Sequence, residues 1–96
     1  MSVKAYHFWS PTCAPCKVIK PAIEDLKEEF PNVQWISVNT HEDTHNDSGS
    51  MGVSVVPTIV VVAEDSKGGI SMERHSGTSM MGYYRILRNA IKLAHL

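Results

Sequence analysis

The sequence predicts an α/β fold, a four-stranded mixed sheet flanked by helices, and three observations predict it. Segments of strand length and segments of helical periodicity follow one another in the order β-α-β-(α)-β-β-α. The first three elements form a strand–helix–strand series, which favours a right-handed crossover between parallel strands. A Lys67-Gly68-Gly69 turn separates the last two strand-like segments, which favours a hairpin.

Each element has its own local signature. Residues 3–8 alternate Val3, Ala5 and His7 against Lys4, Tyr6 and Phe8, and Ser10-Pro11 ends them, so they read as a strand. From Ala14 to about Phe30 the chain reads as a helix. Val18, Ala22, Leu26 and Phe30 recur every fourth position with Ile19 and Ile23 beside them, while Lys17, Lys20, Glu24, Lys27 and Glu28 fall largely elsewhere. Pro31-Asn32 stops that helix. Residues 33–38 form a second strand, and 39–52 are polar and turn-rich with room for a short helix.

Residues 58–63, Thr-Ile-Val-Val-Val-Ala, show no alternation, as in a strand covered on both faces. Residues 70–76 form a strand at an edge, because Glu73, Arg74 and His75 are polar. Gly77 breaks the chain. Thr78 or Ser79 then caps a last helix with Tyr83, Tyr84, Leu87, Ala90, Ile91 and Ala94 toward its buried side.

Composition narrows the function. A chain of 96 residues is one domain of ordinary size, so residues 1–96 are taken as a single unit. Nine Lys and Arg against ten Asp and Glu give a net charge of −1, with no basic patch to hold nucleic acid or an anionic membrane. No apolar run approaches the ~20 residues of a membrane span. The start, Met1-Ser2-Val3-Lys4, leads directly into a strand pattern without the regions of a signal peptide, so the expected location is cytoplasmic. In a reducing compartment a close cysteine pair points to catalysis or metal binding rather than to a staple.

The two cysteines are Cys13 and Cys16, in Cys13-Ala14-Pro15-Cys16, where a strand gives way to a helix. Residues i and i+3 share a helix face, close enough for the sulfurs to bond. At a helix N-terminus the free N–H groups and the helix dipole favour a thiolate at Cys13, and the thiolate is the nucleophile. Cys16, one turn in, is expected to be more buried. Pro15 suits the first turn, where its missing N–H costs little. Attack by Cys13 on a disulfide and resolution by Cys16 leaves a reduced substrate and an oxidised pair. The competing reading is half a zinc site, which needs two further ligands; five histidines and no third cysteine leave that open by count.

The chain resembles the thioredoxin family in three stretches that fall in order: Phe8 to Lys17 (FWSPTCAPCK) with Val18-Ile19-Lys20-Pro21 behind it, Val55-Val56-Pro57-Thr58, and Gly77 before the last helix. The resemblance runs along nearly the whole chain and implies a thioredoxin-like fold. It implies Cys13 and Cys16 as the catalytic pair. The implied substrate-binding surface comprises Trp9, Thr12, Ala14, Pro15, Val56, Pro57 and Gly77. Pro57 would follow a cis bond and lie against the pair, leaving the Val56 backbone free to pair with an extended substrate; Pro21 would kink the helix. No cofactor and no resident metal are implied. The implied partners are disulfide-containing proteins and a reductase or other thiol donor, with a monomer as the simplest state.

The pattern departs from the family in four places. Ala14 stands where glycine is usual and Thr12 where tryptophan is usual. His7 replaces the buried carboxylate of the first strand, and Ser37 stands where its lysine partner is usual. In the family that carboxylate helps move the proton of the second cysteine, so His7 is either a replacement proton acceptor or a structural histidine. The chain also begins at the first core strand, a glutaredoxin-like outline. A glutathione-dependent reductase is therefore one alternative, although the sequence displays no evident glutathione-binding charge pattern and Trp9 and Pro21 favour thioredoxin. A binding or adaptor module on the same fold is another. His41-Glu42-Asp43-Thr44-His45 matches the letters of a zinc-protease motif, but its polar, turn-rich setting makes it a solvated loop or the start of a short helix. Met80-Met81 and Tyr83-Tyr84 are read as structural, half of each pair facing the core.

Overall fold

In the computed structural model, residues 2–95 are described. Seven elements follow in order: β1 (Ser2–Trp9), α1 (Ala14–Glu29), β2 (Gln34–Asn39), α2 (Asp47–Ser50), β3 (Thr58–Glu64), β4 (Ile70–Ser76) and α3 (Met80–Ala94). The sheet order is β2-β1-β3-β4. β1 and β2 are parallel, β3 is antiparallel to β1, and β4 is antiparallel to β3. The α1 crossover between β1 and β2 and the tight β3–β4 hairpin account for that mixture. Asp65 closes the hairpin turn, its carboxylate accepting from the N–H groups of Lys67 and Gly69 at 2.8 Å each.

Alternation along each strand sorts the apolar residues onto two faces. Val3 and Ala5 of β1 and Ile59, Val61 and Ala63 of β3 face a core completed by Ile19, Ile23 and Leu26 of α1 and by Tyr83, Ile86, Leu87, Ala90 and Ala94 of α3. Both long helices thus lie on one face. On the other, Phe8, Val38 and Val60 form a smaller cluster under Met51, Val53 and Val56. The helix on that side is the four-residue α2, none of whose residues is buried. The segment that follows it supplies the apolar cover instead.

Two local expectations are corrected, the buried stripe of α1 and the cap of α3. The buried stripe of α1 is Cys16, Ile19, Ile23 and Leu26, continued by Phe30, and Val18 is 74% exposed. An every-fourth row drifts around a 3.6-residue helix, whereas steps alternating three and four hold one face. Ser79 occupies the cap position of α3, but its side chain makes no capping bond. His41 and His45 lie in turns, in keeping with the solvated-loop reading of that stretch. There the carboxylate of Asp43 accepts from the N–H groups of Asp47 and Ser48 and from the Ser48 hydroxyl, tying down the start of α2. Those bonds, the hydroxyl's first, hold the Asp43 carboxyl below its ordinary range. Pro21 lies inside α1 on its exposed side, where the carbonyl left without a partner can face water.

Candidate active site

The sheet brings three loops to one end. Trp9 is the register partner of Asn39, Phe8 of Thr58, and Thr58 of Ser76, so β1 and β4 finish and β3 starts at the same edge of the molecule. The loop to Cys13, the Val56-Pro57 segment and Gly77 all project there. Gly77 donates its N–H to the Pro57 carbonyl at 3.0 Å, which joins two of these loops directly. Its φ of +100° favours glycine at this junction. The Val56–Pro57 peptide bond is cis.

Cys13 is the N-cap residue of α1, and Pro15 falls in the first turn. The two sulfurs form a disulfide, with Cα atoms 5.3 Å apart. The backbone N–H of Cys16 donates to Sγ of Cys13 at 3.1 Å. That N–H is one of the orphan donors of the helix start, and no acidic residue stands in the first turn to offset it. A negative charge on Cys13 is therefore met by an N–H already aimed at it. The two cysteines are 9% and 7% exposed, so the expected contrast in burial is small in the disulfide form. Thr12, Ala14 and Pro15 are exposed around the pair.

His7 is 9% exposed and faces the same side of the sheet as Ala5 and Ile59. Its register partner on β2 is Ser37. Burial above all, then the positive charge of Lys27, lowers the His7 imidazole from 6.5 to about 4, with Glu24 offsetting part of that. The ring therefore stays neutral at pH 7 and free to accept a hydrogen bond, while being a weaker base than an ordinary imidazole. Its Nε2 is buried without a hydrogen-bond partner among the described residues. Ser37 meets Trp9 instead: the indole Nε1–H donates to its Oγ at 2.8 Å, fixing the half-buried ring between β1 and β2.

Val56 is half-buried and Pro57 buried. Neither the N–H nor the C=O of Val56 takes part in a hydrogen bond among the described residues. Tyr83, which sequence reasoning left in the core, supports this loop, and His75, read there as a polar residue of the edge strand, packs against Tyr83. The Tyr83 hydroxyl lies 3.3 Å from the Pro57 carbonyl and also donates to the carbonyl of Gly77. His75 stands edge-on to the Tyr83 ring at 4.7 Å between centroids. Helical spacing marks Tyr83 as inward-facing but carries no sign of where its hydroxyl ends.

A family model described as Thioredoxin matches residues 4–82. Among curated proteins, thioredoxin of Bacillus subtilis (strain 168) is 35% identical over 60 residues, 59% of this chain and 55% of that protein. Chloroplastic thioredoxin M2 of Arabidopsis thaliana is 36% identical over 61 residues, 62% of this chain and 32% of that protein. The match thus spans from about a third to about half of these relatives' length. Among solved structures, thioredoxin of Trypanosoma brucei brucei superposes with a TM-score of 0.77 at 23% identity, covering 95% of this chain and 76% of that one. Mitochondrial thioredoxin 3 of Saccharomyces cerevisiae, in its oxidised form, gives 0.78 at 19% identity, covering 92% and 78%. At these identities the superpositions establish the fold.

Proposed function

The chain belongs to the thioredoxin family, and from that premise we propose that it is a thiol–disulfide oxidoreductase that reduces protein disulfides through Cys13 and Cys16. One observation carries the reading: the pair is bonded at the start of α1 with the Cys16 N–H directed at Sγ of Cys13. In the reduced protein Cys13, as thiolate, attacks one sulfur of the substrate disulfide. The other substrate sulfur leaves, and a mixed disulfide forms on Cys13. Cys16 then attacks Sγ of Cys13, expelling the second substrate sulfur and closing the protein disulfide. The free main-chain groups of Val56 suit an extended substrate segment laid alongside as an extra strand. Trp9, Thr12, Ala14, Pro15, Pro57 and Gly77 would border it.

In this reading His7 receives the proton of Cys16 in transit and returns it to solvent; its low basicity makes the transfer brief. A thiol-dependent reductase or another thiol donor restores the dithiol. The working form is a monomer, and the reducing direction belongs to a reducing compartment such as the cytoplasm.

The test is turnover of a disulfide-bonded protein such as insulin with dithiothreitol as electron source. Wild type accelerates the reduction, and Cys13→Ser and Cys16→Ser each abolish the acceleration. The reduction potential of the pair then fixes the direction. A value of roughly −270 mV marks a reductant, and one nearer −120 to −180 mV marks an oxidase or isomerase and overturns the direction.

A further inference from the structure

Val56 carries the main-chain groups offered to substrate, and the carbonyls on either side of its own are both occupied. The Pro57 carbonyl accepts from the Gly77 N–H at 3.0 Å, with the Tyr83 hydroxyl 3.3 Å away. The Val55 carbonyl accepts from the Thr58 hydroxyl at 2.7 Å. Between them the Val56 carbonyl and N–H have no partner among the described residues. Thr58 is 1% exposed and is the register partner of Ser76, at the end of β4. Their hydroxyl oxygens lie 2.6 Å apart. A hydroxyl has one proton to donate. Thr58 gives its proton to Val55, so Ser76 is the donor in the second bond. The chain therefore runs one way, from Ser76 to Thr58 to the Val55 carbonyl. Hydrogen bonds in series polarise one another, which strengthens the last of them.

The Val55 carbonyl and the Val56 N–H belong to one peptide group. That group is planar and trans, so its C=O and N–H point in opposite directions. Fixing the carbonyl on the Thr58 hydroxyl aims the Val56 N–H away from Thr58. A buried threonine needs a partner for its hydroxyl, and any nearby carbonyl would satisfy it. Here the carbonyl it takes is the one that sets the direction of the substrate-facing N–H. We propose that Thr58 and Ser76 are positioning residues for substrate. Their hydroxyl chain fixes the plane of the Val55–Val56 peptide and presents the Val56 N–H in advance to a carbonyl of an extended disulfide peptide. The inference rests on the oxidoreductase reading and deepens it, because it ties recognition to the substrate's own main chain. Ordering the peptide before association removes an entropic cost of binding. A small disulfide without peptide groups gains nothing from it.

In the test, reduced protein freed of its donor is mixed with an extended peptide disulfide or with bis(2-hydroxyethyl) disulfide. Oxidation of the Cys13–Cys16 pair is followed by acid quench and mass spectrometry. The readout is the ratio of the two second-order rate constants, peptide over small disulfide. Thr58→Val is expected to lower that ratio about three- to tenfold, the worth of one neutral hydrogen bond, through the peptide rate alone. Thr58→Ser keeps the hydroxyl and should keep the ratio. Ser76→Ala, at an exposed position, should lower it about twofold. In the Thr58→Val background the same change should add nothing, because Ser76 acts through Thr58. An unchanged ratio in Thr58→Val, an equal fall with both disulfides, a Thr58→Ser protein as impaired as Thr58→Val, or an additive Ser76→Ala effect overturns the proposal. Urea unfolding checks that each variant is folded. If Thr58→Val is not, the Ser76→Ala ratio decides alone, and an unchanged value overturns the proposal. If wild type is oxidised by neither disulfide, the oxidoreductase reading fails; if both react and the ratios are flat, only the positioning role fails.

Discussion

The Tyr83 hydroxyl, at the first turns of α3, donates to the main-chain carbonyl of Gly77 and lies 3.3 Å from that of Pro57. Gly77 in turn donates to Pro57. One buried side chain therefore ties the two loops that border the cysteine pair to the helix that closes the core. Desolvation raises the Tyr83 hydroxyl to about 12, so it keeps its proton, and remains a donor, across the working pH range.

Tyr83→Phe leaves the ring in place and removes that donor. The carbonyls it met lie in a buried setting, so the loss is expected to cost about 1–2 kcal/mol in urea unfolding. The rate with an extended peptide disulfide should also fall, through a higher KM, because the loop holding Val56 loses its anchor. An unchanged midpoint and KM would show that the hydroxyl holds nothing.

Gly82 invites the opposite test. A Cβ at this position would run into the imidazole of His75, which packs against Tyr83. A glycine inside a helix is ordinarily improved by alanine, by about 1 kcal/mol. Here Gly82→Ala is expected to destabilise, whereas the same change made in a His75→Ala background should stabilise. A double-mutant cycle by chemical denaturation reads the sign directly. Equal effects in both backgrounds would mean that the two side chains do not compete for space.

Stability at acid pH should carry the signature of His7. Its folded value, about 4, lies below the ordinary 6.5. The unfolded chain therefore takes up the proton first as pH falls. The stability linked to a neutral His7 is complete above about pH 6.5 and drains away as the pH descends toward 4. The shift corresponds to a contribution on the order of 3 kcal/mol. Between pH 7.5 and 4.5, His7→Gln should lose less stability than wild type. Parallel losses would remove His7 from the acid transition. Separately, His7→Ala with unchanged oxidation and reduction rates from pH 6 to 9 would exclude a proton-transfer role.

Trapping separates the cysteine roles. Cys16→Ser should accumulate a mixed disulfide with a protein substrate on Cys13, while Cys13→Ser should accumulate none. Mass spectrometry of the quenched reaction decides it, and an adduct only in Cys13→Ser would reverse the assignment of attacking and resolving sulfur.

Much of this was legible in the order of residues. Period-two and helical patterns located β1, α1 and α3, an unbroken apolar run located β3, and the polar stretch at residues 39–52 showed only room for α2. The Cys-Ala-Pro-Cys stretch falls at a strand-to-helix junction, so local rules place Cys13 at the cap. What stayed hidden depends on distance in space. Val18 looked buried because it shares an every-fourth row with Leu26, and only packing against the sheet selects the neighbouring stripe through Ile19 and Ile23. Tyr83 was read as core without its hydroxyl's destination, which lies in loops 6 and 26 residues away. Lys17, Lys20 and Lys27 were assigned to a solvated face, and nothing local shows that this face borders a cavity reaching Cys16.

The strand order β2-β1-β3-β4 has a mechanical consequence. β1 and β3 are the two interior strands, each held by a hydrogen-bonded neighbour on both sides, and they pair with each other. The cysteine loop is mounted on the end of β1 and the Pro57 loop on the start of β3. The spacing between nucleophile and substrate-holding backbone is therefore set by the stiffest seam in the sheet. Fraying or insertion at the outer strands, β2 and β4, is absorbed at the margins, while a one-residue slip between β1 and β3 would move the two halves of the site apart by a full register step.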